Sequence, residues 1–173
     1  MRVCQFHNGI RFGVTVILLA GYATAQIAQT SAVDVAGWRK LDAGPFSISA
    51  PSGWEFHQLT GVDSYVGEFV GDGVTLSFDF GRYSAELRNA QKPAYSITKR
   101  AIDGRNGKLV SPRTTGKGIT GVFVQLDGHD ALCLWGKDLT SAQQELAFKV
   151  FETIRFGGPM PPSVIPPPPP RNP

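Results

Sequence analysis

The sequence predicts an α+β domain: an antiparallel β-sheet of about six to eight strands with a C-terminal helix packed on it. Three observations carry this. Residues 45 to 138 hold short runs of period-two apolar alternation separated by Gly, Asp and Asn. Two Asp-Gly pairs stand where two-residue hairpin turns fit, Asp72-Gly73 and Asp127-Gly128. A single capped stretch of helical periodicity follows, from Thr140 onward. Composition agrees. Apolar residues are 42% of the 173, enough for a core, and 33 are Gly or Pro, so turns outnumber long helices.

The chain opens on a segment that reads as a secretory signal, residues 1 to 25. Arg2 and Arg11 form a basic start, Phe12 to Ala20 an apolar stretch, and Ala23-Thr24-Ala25 a small-x-small cleavage pattern before Gln26. From Phe12 to Ala25 the stretch is too short for the roughly 20 residues that cross a bilayer, so no transmembrane segment is expected in the mature chain. The expected address is periplasmic or secreted. Residues 26 to 44 read as a lead-in to a single domain spanning 45 to 158.

Within that domain, Phe46, Ile48 and Ala50 alternate with Ser47 and Ser49. Pro51-Ser52-Gly53 breaks the run, and Trp54 and Phe56 then alternate with Glu55 and His57. A two-residue turn at Asp72-Gly73 sets Phe69 opposite Leu76, Gly67 opposite Phe78 and Tyr65 opposite Phe80. One face is then apolar, with Gly67 leaving room for a ring. The same turn at Asp127-Gly128 sets Leu126 opposite His129, Val124 opposite Ala131 and Val122 opposite Cys133. Both faces of that hairpin are apolar, so it belongs mid-sheet with its second side covered. The helix supplies the cover. Thr140 and Gln143 form a capping box, and Leu146, Ala147, Val150, Phe151 and Ile154 make one stripe over residues 141 to 154. Gly157-Gly158-Pro159 ends the element. Residues 159 to 173 hold nine prolines and read as a disordered, extended tail.

No catalytic constellation emerges. Once Cys4 leaves with the signal, Cys133 is the one cysteine, so no intrachain disulfide can form. His129 lies four residues away on the same strand, roughly 13 Å at strand rise, too far to serve as its base. Cys133 therefore reads as a core thiol. His57 and His129 lack metal-ligand spacing, and no Gly-x-Ser-x-Gly or phosphate loop is present. The acidic turns at Asp72 and Asp103 lack the oxygen-rich spacing of a calcium loop. No metal and no cofactor are expected.

Charge is more informative by position than by sum. The formal net charge of +3 falls to +1 when Arg2 and Arg11 are removed, leaving 15 basic residues against 14 acidic. Between residues 82 and 117, nine basic residues face only Glu86 and Asp103: Arg82, Arg88, Lys92, Lys99, Arg100, Arg105, Lys108, Arg113 and Lys117. Residues 26 to 81 instead carry two basic and seven acidic groups. Such asymmetry marks a candidate surface for an anionic ligand, unless the fold scatters the charges.

The order of elements from 45 to 156 resembles the PsbP/DcrB-like superfamily of small secreted or lumenal modules. The resemblance rests on Phe46-Ser-Ile-Ser-Ala-Pro-Ser-Gly-Trp54, Leu76-Ser-Phe-Asp-Phe80, Ile102-Asp-Gly104 and Glu152-Thr-Ile-Arg-Phe156. It implies an antiparallel sheet with helices packed on it and a non-enzymatic accessory or binding role. Some members of that superfamily bind metal, but no matching ligand cluster is found here. The leading expectation is an exported, non-catalytic module of the cell envelope. Its partner would be an envelope protein or anionic envelope polymer rather than nucleic acid, which the expected address excludes. Two alternatives stand beside it: a hydrolase with a site assembled around His57 or His129, and an envelope structural protein tethered by its Pro-rich tail.

Overall fold

The computed structural model describes residues 35–82, 84, 87, 93–126 and 128–157. The proposed signal and cleavage point, Arg88, Lys92 and the Pro-rich tail lie outside them. Among the described residues, ten strands and one helix form two antiparallel sheets, more strands than the six to eight expected. Seven strands make the main sheet: β3 (Glu55–Gln58), β4 (Tyr65–Gly71), β5 (Val74–Gly81), β6 (Tyr95–Ile102), β7 (Arg105–Pro112), β8 (Ile119–Gln125) and β9 (Ala131–Lys137). Their spatial order is β3-β4-β5-β9-β8-β7-β6. A small second sheet holds β1 (Trp38–Asp42), β2 (Phe46–Pro51) and β10 (Arg155–Phe156), with β2 in the middle. β1 lies within the residues read as a lead-in, and pairing with β2 fixes it from Trp38↔Pro51 to Asp42↔Ser47.

The β4–β5 hairpin has the expected register, Phe69↔Leu76, Gly67↔Phe78 and Tyr65↔Phe80. Asp72 and Gly73 both take positive φ, 50° and 69°, as a two-residue turn of this hand requires. A Cβ on Gly67 would come within 2.7 Å of the Phe78 ring, so the glycine makes space for it. Phe69, Leu76 and Phe78 are fully buried against Phe46 of β2, whose ring meets Phe78 edge-on at 5.0 Å.

The β8–β9 hairpin is shifted by one residue from the sequence expectation. Val122 pairs with Leu134, Phe123 with Cys133, and Val124 with Leu132. The loop has three residues rather than two: Leu126 N–H donates to Asp130 O, and His129 belongs to the loop beside Gly128 at φ 74°. The shift sorts the side chains. Val122, Val124, Leu132 and Leu134 all enter the main core, while Phe123 and Cys133 face the other way.

Helix α1 (Ser141–Glu152) begins with the expected capping box between Thr140 and Gln143. It buries Ala147, Val150 and Phe151 on the inner face of the main sheet, together with β1 and β2. It does not cover the second side of β8–β9. There Phe123, Ala131 and Cys133 form a separate small cluster with Leu87 and Trp135. The helix also ends before the glycines. The Thr153 hydroxyl donates to Val150 O at 2.7 Å and accepts from Ser49 N–H at 2.8 Å. That ties the helix end to β2 and turns the chain into β10.

Candidate functional site

Strand alternation divides the basic segment. β6 and β7 form a hairpin around Asp103-Gly104, both at positive φ, with Ile102↔Arg105, Arg100↔Gly107 and Lys99↔Lys108 as partners. Arg100 and Arg105 fall on the helix side, and both are structural. Arg100 pairs with Glu152 at the end of α1, and the Arg105 guanidinium lies 5.1 Å from the Phe156 ring centre. The turn itself is anchored there, because Asp103 Oδ2 accepts from Phe156 N–H at 2.9 Å. Asp103 is thus a bracket for β10.

Lys99 and Lys108 fall on the outer face, the side away from α1. Partners across an antiparallel pair have Cβ atoms about 5 Å apart, so the two stems stand side by side. They border a groove of about 560 Å3 whose lining includes Ala101, Asn106, Phe123 and Gln125. Phe123, paired with Lys108 in β8, forms the floor, with the Lys108 ammonium 5.7 Å from its ring centre. The side amide of Gln125 donates to Asp130 O at 2.9 Å, which fixes its position at the rim. Two cations over a half-polar floor suit an oxyanion carried on an extended partner.

The remaining basic residues lie elsewhere. Arg113 sits at the base of the hairpin, its Nε donating to Pro93 O at 3.0 Å. Lys117 is in the turn before β8, and Arg82 in the turn after β5. Of the seven described basic positions, three line the groove, Lys99 and Lys108 from outer-face positions and Arg100 from its place next to Lys99 in β6. Sequence reasoning counted the run and missed its division; reading Tyr95–Ile102 and Arg105–Pro112 as one hairpin would have revealed it.

The other candidates also find places. His57 stands on the outer face of β3, its Nε2 3.4 Å from Glu55 Oε2 and its Nδ1 3.8 Å from Glu68 Oε1. All three are on the solvent side of the sheet, at the edge opposite β6, and the ring is half exposed. His129 is exposed in its loop. The two histidines are therefore not brought together. Cys133 is buried, and burial first, with the charge of its partner Asp79 second, pushes the thiol up to about 12. It stays protonated and unreactive at neutral pH. Asp72 is occupied by Trp54, whose indole N–H donates to it at 2.9 Å. Among the described residues, no group of three or more His, Cys, Asp or Glu could hold a metal ion. Nor is any helix among them long and apolar enough to cross a membrane.

No protein-family model matches the chain, and no curated protein matches it. The groove must therefore be judged on its own chemistry.

Proposed function

We propose that this protein is an exported, non-catalytic binding module of the cell envelope that takes an anionic partner on the outer face of β6–β7. One observation carries the reading: Lys99 and Lys108 are direct partners over an open groove. Neighbouring ammonium groups on one face complement an oxyanion, and such complementarity favours a partner of opposite charge. The signal-like first 25 residues support export, and the resemblance to the PsbP/DcrB-like modules supports a binding role. The expected partner is an envelope protein or an anionic envelope polymer.

Retention on immobilised sulfated dextran tests this. The full chain should bind at low salt and elute as salt screens the contact. The Lys99→Ala/Lys108→Ala double variant should pass through. Lys40→Ala, on the small sheet, should bind like the parent. Salt-insensitive retention, or a double variant that binds unchanged, contradicts the proposal.

A further inference from the structure

We infer that β6 is a docking edge for an extended acidic segment of a partner protein, which adds to the main sheet as an eighth strand. This rests on the anionic-site reading above and names the ligand class.

Among the described residues, the edge is long and open. β6 is the last strand of the sheet and runs for eight residues, whereas β3 at the opposite edge has four. From Ser96 to Ala101 its residues are exposed. The free backbone groups can be assigned. In a hairpin closed by a two-residue turn, bonded pairs alternate outward from the turn, starting with Ile102 and Arg105. The Arg113 N–H donating to Ala94 O at 2.8 Å keeps the same alternation at the far end. The even-numbered residues of β6 therefore bond to β7. The N–H and C=O groups of Ile97, Lys99 and Ala101 point outward, as an added strand needs.

Side chains then choose the occupant. Ile97 and Lys99 both stand on the outer face, next to the groove, and Ile97 is 49% exposed. An added strand would set one apolar and one acidic residue beside them, two positions apart. On the inner face Arg100 already holds Glu152, so acid there gains nothing. A second copy of β6 is a poor occupant, because antiparallel pairing about its middle would set Lys99 opposite either its own duplicate or Arg100 of the other copy. Charge complementarity selects an acidic segment.

The probes are a short Thr-rich peptide with Val and Glu two residues apart, its scramble with Val and Glu adjacent, and sulfated dextran. Ile97→Pro removes an outward N–H and leaves the β6–β7 ladder intact. It should weaken binding of the peptide by about tenfold while leaving dextran binding unchanged; Lys99→Ala should weaken both. Amide exchange at Lys99 and Ala101 should slow when the peptide is added. If Ile97→Pro binds the peptide as the parent does, or the scramble binds equally well, the strand-addition inference is overturned and the anionic groove stands. If the parent dimerises and Ile97→Pro does not, the edge belongs to a second copy. If the parent binds dextran nowhere on this face, both readings fall together.

Discussion

Lys99 and Lys108 are Cα partners across the β6–β7 ladder, two ammonium stems on one face of one hairpin. Lys99→Glu replaces repulsion with attraction and should raise unfolding free energy by about 0.2–1 kcal/mol in low salt. The gain should shrink as salt is added, while retention on an anionic matrix falls. Urea unfolding at two salt concentrations reads the first effect. A variant that is no more stable, or a gain that salt leaves unchanged, would mean the pair does not interact.

Trp54 and Asp72 join the start of β3 to the tip of the β4–β5 hairpin. The indole is fully buried and its N–H donates to Asp72 Oδ2, while Asp72 holds φ 50° in the turn. Asp72→Ala removes both the acceptor and a residue tolerant of positive φ, and should cost about 1–3 kcal/mol. Asp72→Asn keeps an acceptor and the backbone preference and should cost less than about 1 kcal/mol. Gly71→Ala should be worse than Asp72→Asn, since its Cβ would come within 2.2 Å of Trp54 Cδ1. Thermal melts of the three variants give the order; equal losses for Asp72→Ala and Asp72→Asn would sink the argument.

Asp79 supplies a pH dependence with a definite sign. It lies on the outer face opposite Cys133, with Oδ1 enclosed and, among the described residues, without a hydrogen-bond partner. Burial first, opposed by a hydrogen bond with Ser64 and aided by the charge of Asp63, raises its pKa above 3.8. The folded state thus favours the protonated acid. Stability from this group is present below the unfolded pKa and lost as pH rises through the folded value. Asp79→Asn is neutral throughout, so it should be more stable than the parent at pH 7 and lose that advantage on acidification below the ordinary carboxylate range. An advantage that grows on acidification would contradict the assignment.

The β4–β5 register was legible because its two loop residues both need positive φ and its apolar and polar sets separate cleanly. The same dipeptide at 127–128 misled, since His129 joins the loop. The signal against the shorter turn was present: only the longer loop aligns Val122 and Val124 with Leu134 and Leu132. The small sheet was not legible. Two residues of β10 and the five of β1 become strands through pairing with β2, which no local pattern announces. The capping box at Thr140 was local and therefore readable, but the helix end was not. It depends on Thr153 meeting Ser49, 104 residues away in sequence. Likewise the cluster of nine basic residues between 82 and 117 was visible as charge alone. Its division needed the β6–β7 register, which leaves Arg100 and Arg105 as brackets and Lys99 and Lys108 as candidates.

Amide chemical-shift mapping during a titration with sulfated dextran tests the central claim most directly. Salt-sensitive shifts are expected in β6, β7 and the neighbouring part of β8 alone, centred on Lys99, Lys108 and Phe123, and they should be lost in Lys99→Ala/Lys108→Ala. Shifts centred on His57, or spread evenly over every exposed lysine and arginine, would contradict it.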